Sequence, residues 1–297
     1  MTRRSFISNA MRAGVVLGVG KGFYNTSSYG IELVERDVKL RALPKGFDGL
    51  KVALLSDTHS SITVTKKLLR ESALAVMSKK PDLILLGGDY VTGATKFLST
   101  SVGEFNKKHL DKLTAAFSVL KAPMGIYAVL GNHDMWDGEA AARIIVDEFA
   151  KKLGAVFLRN ESVELKKGLD IKKGNEKITL IGIDDYWSNG SIMNLTKKAD
   201  KDSVRILLSH NPDINEEIDL LGERIDLVLS GHTHGGQVNV PLLGAPYLPS
   251  KFGQKYKAGL VRDGLRQTYI TRGVGTLMLP VRFGAPPEVT VLTLRQA

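Results

Sequence analysis

From residue 31 onward the chain alternates short apolar runs with longer stretches whose apolar residues recur at helical spacing. The short runs are Val52-Ala-Leu-Leu, Leu83-Ile-Leu-Leu, Ile126-Tyr-Ala-Val-Leu, Ile206-Leu-Leu and Leu227-Val-Leu. They read as strands. Residues 64–77 and 140–153 read as helices, and 104–120 as another. Such alternation predicts α/β layering. Each of the five strands is followed at once by small residues and then by Asp, Asn or His, so the polar chemistry gathers at strand C-terminal ends. In open α/β sheets ligands bind beyond those ends, where loops converge. A single sheet would therefore bring all five clusters to one rim.

The clusters are Asp57-Thr-His59, Gly88-Asp89, Gly131-Asn-His-Asp134, Ser209-His210-Asn211 and Gly231-His-Thr-His-Gly-Gly236. They hold five of the six histidines. The sixth, His109, lies in the helical stretch with no polar cluster beside it and reads as an ordinary helix residue. In extended backbone, residues two apart face the same way, so Asp57 with His59, and His232 with His234, would each address one side of a site. Imidazole, carboxylate and amide groups without thiolate suit Mn, Fe or Zn better than Ca. One ion needs three or four such groups. Seven or more imply two, with Asp89 as the bridge, because a carboxylate offers two oxygens.

Composition narrows the class without naming a function. The chain has 297 residues, 43% hydrophobic and 24% charged, which fits a folded chain with a substantial core. It has no Cys, which excludes disulfide frameworks, Cys-ligated zinc and thiol nucleophiles. Of the net charge of +10, residues 1–21 carry four basic and no acidic side chains; beyond them 37 basic against 31 acidic residues leave +6. That surplus favours anionic substrates or surfaces. It is too small to make nucleic acid an expected partner. The glycine spacing of Gly88 and Gly93 lacks the Lys-Ser/Thr of a P-loop, and neither a G-x-S-x-G elbow nor an H-E-x-x-H helix is present.

D-x-H, G-D, G-N-H-D, a single His and G-H-x-H, in this order, resemble the calcineurin-like metallophosphoesterases over about residues 51–294. Gly231-His-Thr-His-Gly-Gly-Gln237, Asp184-Asp185 and Leu279-Pro-Val-Arg-Phe-Gly-Ala-Pro-Pro-Glu288 are similar to a bacterial branch of exported or membrane-associated phosphodiesterases. The resemblance implies a four-layer α/β/β/α sandwich of two mixed sheets flanked by helices, with residues 31–297 as one domain. It implies Asp57, His59 and His234 on one divalent ion, Asn132, His210 and His232 on a second, and Asp89 between them. A hydroxide shared by the ions would attack phosphorus in line with the leaving group. His133 would serve the leaving group as general acid or charge stabiliser, with Asp134 as its orienter or as support for a ligand.

Trp136, Tyr186, Trp187 and residues 247–256 are expected as an apolar wall, and Arg282 as a clamp on a second phosphate. Lys166-Lys167 and Lys172-Lys173 read as solvated hairpin tips. The substrate class is a phosphodiester or pyrophosphate, with cell-envelope phospholipids, wall polymers or a UDP-diacylglucosamine-type lipid in view; a non-catalytic metal-binding scaffold is the competing reading. Thr2-Arg-Arg-Ser-Phe-Ile-Ser8, leading into Ala13-Gly-Val-Val-Leu-Gly-Val-Gly20, resembles a twin-arginine export signal. The apolar stretch is about half of the roughly 20 residues a spanning helix needs. Residues 1–25 are thus expected to address the export machinery or to associate with a membrane surface, placing the enzyme in the periplasm, cell wall or membrane; a cytoplasmic location is the alternative.

Overall fold

The computed structural model describes residues 30–92, 107–166, 176–188, 190–192, 203–240, 242–277 and 280–297. The export-signal residues 1–25, the helix start at 104–106, Gly93, and Lys167, Lys172 and Lys173 of the expected hairpin tips lie outside them. Two six-stranded mixed sheets face each other. The first runs β1 (Glu32–Leu40), β12 (Glu288–Gln296), β2 (Lys51–Leu55), β3 (Leu83–Leu86), β4 (Ile126–Ala128), β5 (Ala155–Phe157). The second runs β10 (Gly259–Asp263), β11 (Arg266–Ile270), β9 (Leu227–Ser230), β8 (Val204–Leu208), β7 (Lys177–Gly182), β6 (Glu161–Lys166). Strands β2 to β5 are mutually parallel, as are β7, β8, β9 and β11.

Strand alternation explains the layers. Val52, Leu54, Leu83 and Leu85 point inward and meet Leu180, Ile206, Leu208, Leu227 and Leu229 of the opposing sheet. Their neighbours Ala53, Leu55, Ile84 and Leu86 point outward. There they bury Leu69, Ala73 and Val76 of α1 (Lys66–Met77), Leu110, Leu113 and Phe117 of α2 (Lys107–Phe117), and Ile145 and Phe149 of α4 (Glu139–Leu153). Helix α3 (Asn132–Trp136) is a single turn after β4. On the outer face of the second sheet, Ile181, Leu207 and Val228 pack against Ile214 and Ile218 of α5 (Ile214–Leu221). Because the strands are buried on both faces, they appear in the sequence as unbroken apolar runs.

The boundaries follow local chemistry. Helix α1 starts where the Thr65 hydroxyl accepts the Leu68 N–H at 3.2 Å. Helix α4 ends at Gly154, φ 65°, whose N–H caps the last turn. The five expected strands all form, but they are divided, three in the first sheet and two in the second, so the polar clusters share a rim between two sheets instead of the edge of one. None of the described helices is long and apolar enough to cross a membrane.

Leu85 is fully buried between the sheets, whereas Leu220 on α5 is 88% exposed. Leu85→Ala should lower unfolding free energy by about 2–5 kcal/mol, and Leu220→Ala should change it by less than about 0.5 kcal/mol. Urea denaturation followed by circular dichroism measures both; equal effects would contradict the layer assignment.

Candidate metal centre

Backbone pairing carries the strands' alignment into the loops beyond them. Asp57 N donates to Gly88 O at 2.9 Å, His59 N to Asp89 O at 3.0 Å, and Gly231 N to His210 O at 3.0 Å. The loops are not extended: Asp57 and His59 share a donor group as expected, but through left-handed turns, whereas His232 and His234 fall in different groups, which corrects the same-side expectation for that pair. Asp57, His59, Asp89, His232 and His234 all have φ between 40° and 72°. Such conformations cost about 1–3 kcal/mol each for a non-glycine residue and persist only where the surroundings hold them. Here the left-handed turns, not strand alternation, aim the side chains inward. Packing leaves no space beside them: a Cβ on Gly231 would collide with Asp57 Oδ2 and Ser56 Oγ, and one on Gly88 would lie 2.6 Å from Gly131 N.

Six of the seven expected ligand residues bring their donor atoms together, and all seven, Asn132 included, are buried. Donor atoms of Asp57, His59 and His234 lie within 4.8 Å of one another, as do those of Asp89, His210 and His232, and those of His59, Asp89 and His133. Asp89 Oδ2 is 3.4 Å from His59 Nε2 and 3.2 Å from His210 Nε2, so it stands between the first two groups. His234 Nε2 is 3.0 Å from His59 Nε2 and 3.5 Å from Asp57 Oδ1. His232 Nδ1 is 3.2 Å from His210 Nε2, while His210 Nδ1 sits 2.7 Å from Gly87 O.

These contacts set nitrogen lone pairs and carboxylate oxygens against one another away from water. Asn132 Oδ1 is buried and has no hydrogen-bond partner. An unsatisfied buried acceptor costs about 1–3 kcal/mol. Divalent cations would satisfy such clustered donors, and imidazole with carboxylate, with the unpartnered amide oxygen of Asn132 as a further donor by type, fits a transition metal. Burial alone would push the His210 ring down, but the Asp89 carboxylate lifts it to about 10. Against the opposing effect of burial, the His210 ring, by its charge and its hydrogen bond, holds Asp89 well below the usual carboxylate range. Burial keeps His232 and His133 neutral, each pushed down to about 3.

Asp134 lies beneath the centre. One carboxylate oxygen accepts the N–H groups of Asp89 at 2.7 Å and Gly131 at 2.9 Å, and the other accepts that of Tyr90 at 2.9 Å. It thus grips the Gly88-Asp89 and Gly131-Asn132 loops by their backbones, and no described hydrogen bond joins it to the His133 ring. Asp89 Oδ1 in turn accepts His133 N at 2.9 Å. His133 stands edge-on to His59 with ring centroids 4.8 Å apart, and the half-exposed Trp136 packs on its other side at 3.9 Å.

The surrounding residues divide. Trp187 meets His232 edge-on at 4.5 Å, and Tyr186 lines the cleft beside it. Tyr256 is buried away from such a wall, its hydroxyl donating to Glu216 Oε1 at 2.7 Å. Arg282 does not reach outward as the expected phosphate clamp. Its buried guanidinium donates to the carbonyls of Gly275, Arg272 and Ala285 and lies 3.1 Å from His234 Nδ1, behind that ring. His109 is in α2, its carbonyl accepting Ser60 Oγ, away from the cluster. Sequence reasoning assigned no role to Asp185 beyond a motif letter. It is buried, Oδ2 accepts Ser188 Oγ at 2.9 Å, and Oδ1 is unpartnered. Its only sequence signal is its place after β7, a strand it shares a sheet with β8 and β9.

A family model for calcineurin-like phosphoesterases matches residues 50–236. The chain is 31% identical over 302 residues to the metallophosphoesterase YkuE of Bacillus subtilis (strain 168), covering 99% of this chain and 98% of that one. It is 33% identical over 299 residues to the phosphodiesterase YaeI of Escherichia coli (strain K12), covering 99% of both. A metallophosphoesterase of Aquifex aeolicus (strain VF5) is 28% identical over 292 residues, 96% of this chain and 98% of that one. The chain belongs to the calcineurin-like phosphoesterase family. It is a metal-dependent phosphoric ester hydrolase.

Asp134→Asn keeps the shape but sets an amide N–H₂ against at least one of three backbone N–H groups. Stability should fall by about 1–3 kcal/mol, and metal affinity about 10- to 100-fold. Urea melts and metal titration monitored by calorimetry check both. Parental values in each would remove the positioning role.

Proposed function

We propose that residues 31–297 form a dinuclear phosphodiesterase domain in which Asp57, His59 and His234 hold one divalent ion, Asn132, His210 and His232 hold the other, and Asp89 bridges them. The observation that supports this most is the place of the Asp89 carboxylate between two compact donor groups. Mn, Fe and Zn suit the donors equally by type. The ions, when bound, supply an acidified water and Lewis-acid stabilisation of phosphoryl charge. The chain's own contribution is to fix donor positions through the left-handed loops and the Asp134 clamp, and to keep the His232 and His234 rings neutral by burial so that their nitrogens are free to ligate.

His133 acts on the leaving group. Its backbone is pinned by Asp89, and its ring is wedged between His59 and Trp136, which leaves an imidazole N–H to meet the departing oxygen. His133 also stands within ligand reach of His59 and Asp89, so metal content is the discriminating readout. His133→Ala should retain both metals yet lose about 10²- to 10⁴-fold on alkyl diesters and much less on nitrophenyl diesters, whose leaving group departs unprotonated. Equal losses, or a lost metal, would make His133 a ligand instead. For the bridge, Asp89→Asn should lower metal content by elemental analysis from two ions per chain; two retained ions with full activity would refute the assignment.

We further propose a cell-envelope phosphodiester as substrate and export through the twin-arginine route, a reading supported by Arg3-Arg4-Ser-Phe-Ile. A site built from five loops distant in sequence forms only on folding, which suits transport of a folded chain. Arg3→Lys with Arg4→Lys should move the protein from envelope to cytoplasm in cell fractions. An unchanged distribution would leave a cytoplasmic enzyme.

A further inference from the structure

A cavity of about 260 Å³ adjoins the metal centre at His234 and is lined further by Val238, Pro246, Tyr247, Pro249 and Leu277. The polar side chains at its wall are engaged elsewhere. Thr233 Oγ1 donates to Lys257 O at 2.7 Å, the Gln237 amide is bonded to both backbone groups of Leu277 at 2.8 and 3.0 Å, and His234 Nδ1 faces Arg282. Among the described side chains of the wall, the Tyr247 hydroxyl at the exposed rim is the polar group with no such bond. Carbon dominates the remaining surface, and the loop that builds the cavity also exposes Leu242, Leu243 and Tyr247 at 107%, 82% and 73%. Exposed apolar side chains gathered beside a cavity mark a binding site more often than chance exposure does.

The opposite donor group has a different neighbour. Beside His232, the cleft formed by Tyr186, Trp187, Ser191, Glu217 and Lys251 is polar and more open. A phosphodiester lying across the centre thus meets carbon at the His234 end and polar groups at the His232 end.

We infer that the His234 cavity is a subsite for an alkyl chain, so that the preferred substrates are phosphodiesters carrying an unbranched aliphatic substituent on one ester oxygen. The inference rests on the phosphodiesterase reading only for its catalytic consequence, because binding of an alkyl phosphate requires no turnover. The occupant is a single chain of methylenes, and each one buried contributes about fourfold in affinity.

The test uses the full chain loaded with Mn and a series of n-alkyl phosphates from methyl to octyl, titrated by calorimetry. The dissociation constant should fall about fourfold per methylene until the cavity is full, with a heat-capacity change that grows more negative along the series. Val238→Trp, and independently Pro246→Trp, should flatten that dependence to about onefold per methylene; either variant suffices if the other fails to fold. In parallel, kcat/KM on n-alkyl p-nitrophenyl phosphates should rise with chain length in the parent. A rise in affinity without any turnover supports the subsite and refutes the phosphodiesterase reading, so the two fail separately. Affinity independent of chain length overturns the subsite. Affinity that falls as protein concentration rises assigns the cavity to a second copy of this chain and overturns it too.

Discussion

The constraint on which the site depends is the crowding of ring nitrogens and carboxylate oxygens around Asp89. Two imidazole nitrogens face each other at 3.0 Å, two more at 3.2 Å, and one carboxylate oxygen stands within 3.4 Å of a ring from each side. In water such groups would separate. In a buried rim they are held by the protein, and positive charge is what makes the arrangement favourable. The five left-handed non-glycine residues, the glycines whose Cβ would strike Asp57 or Gly131, and the three amides closed on Asp134 are the means by which the chain imposes this crowding.

The rest of the fold supplies rigidity at that point. Parallel strands β2, β3 and β4 end side by side in one sheet, β8 and β9 in the other, and the leucine layer between the sheets fixes the distance across which the two halves meet. Close-packed interiors transmit small volume changes, so the donor geometry depends on residues such as Leu85 that never touch it.

Much of this was legible in the sequence, for physical reasons. Strands buried on both faces leave unbroken apolar runs, and ligand residues must follow them at once, so the Asp57, Asp89, Asn132, His210 and His232 clusters announced both the elements and the rim. The order of the motifs supplied the two-sheet arrangement that pattern alone read as one. What the sequence could not show were features that exist only in three dimensions. Arg282 looked like a free cation, but it is buried against carbonyls behind His234. Asp134 could be read as an orienter of His133 or as support for a ligand, and its bonds to the backbone amides of Asp89, Tyr90 and Gly131 match the second role. Tyr256 looked like part of an open wall and is a hydrogen-bonded core residue. The local periodicity of an extended chain also misjudged His232 and His234, which fall in different donor groups, because a φ of 72° or 52° leaves no trace in residue type.

The central claim is that this crowded rim is a two-cation site organised by Asp89. Crystals of the full chain grown with Mn and measured at the Mn absorption edge test it most directly. The account predicts two anomalous peaks, one among Asp57, His59 and His234 and one among Asn132, His210 and His232, each touching a different face of the Asp89 carboxylate. A single peak, peaks away from these side chains, or none at saturating Mn would contradict it.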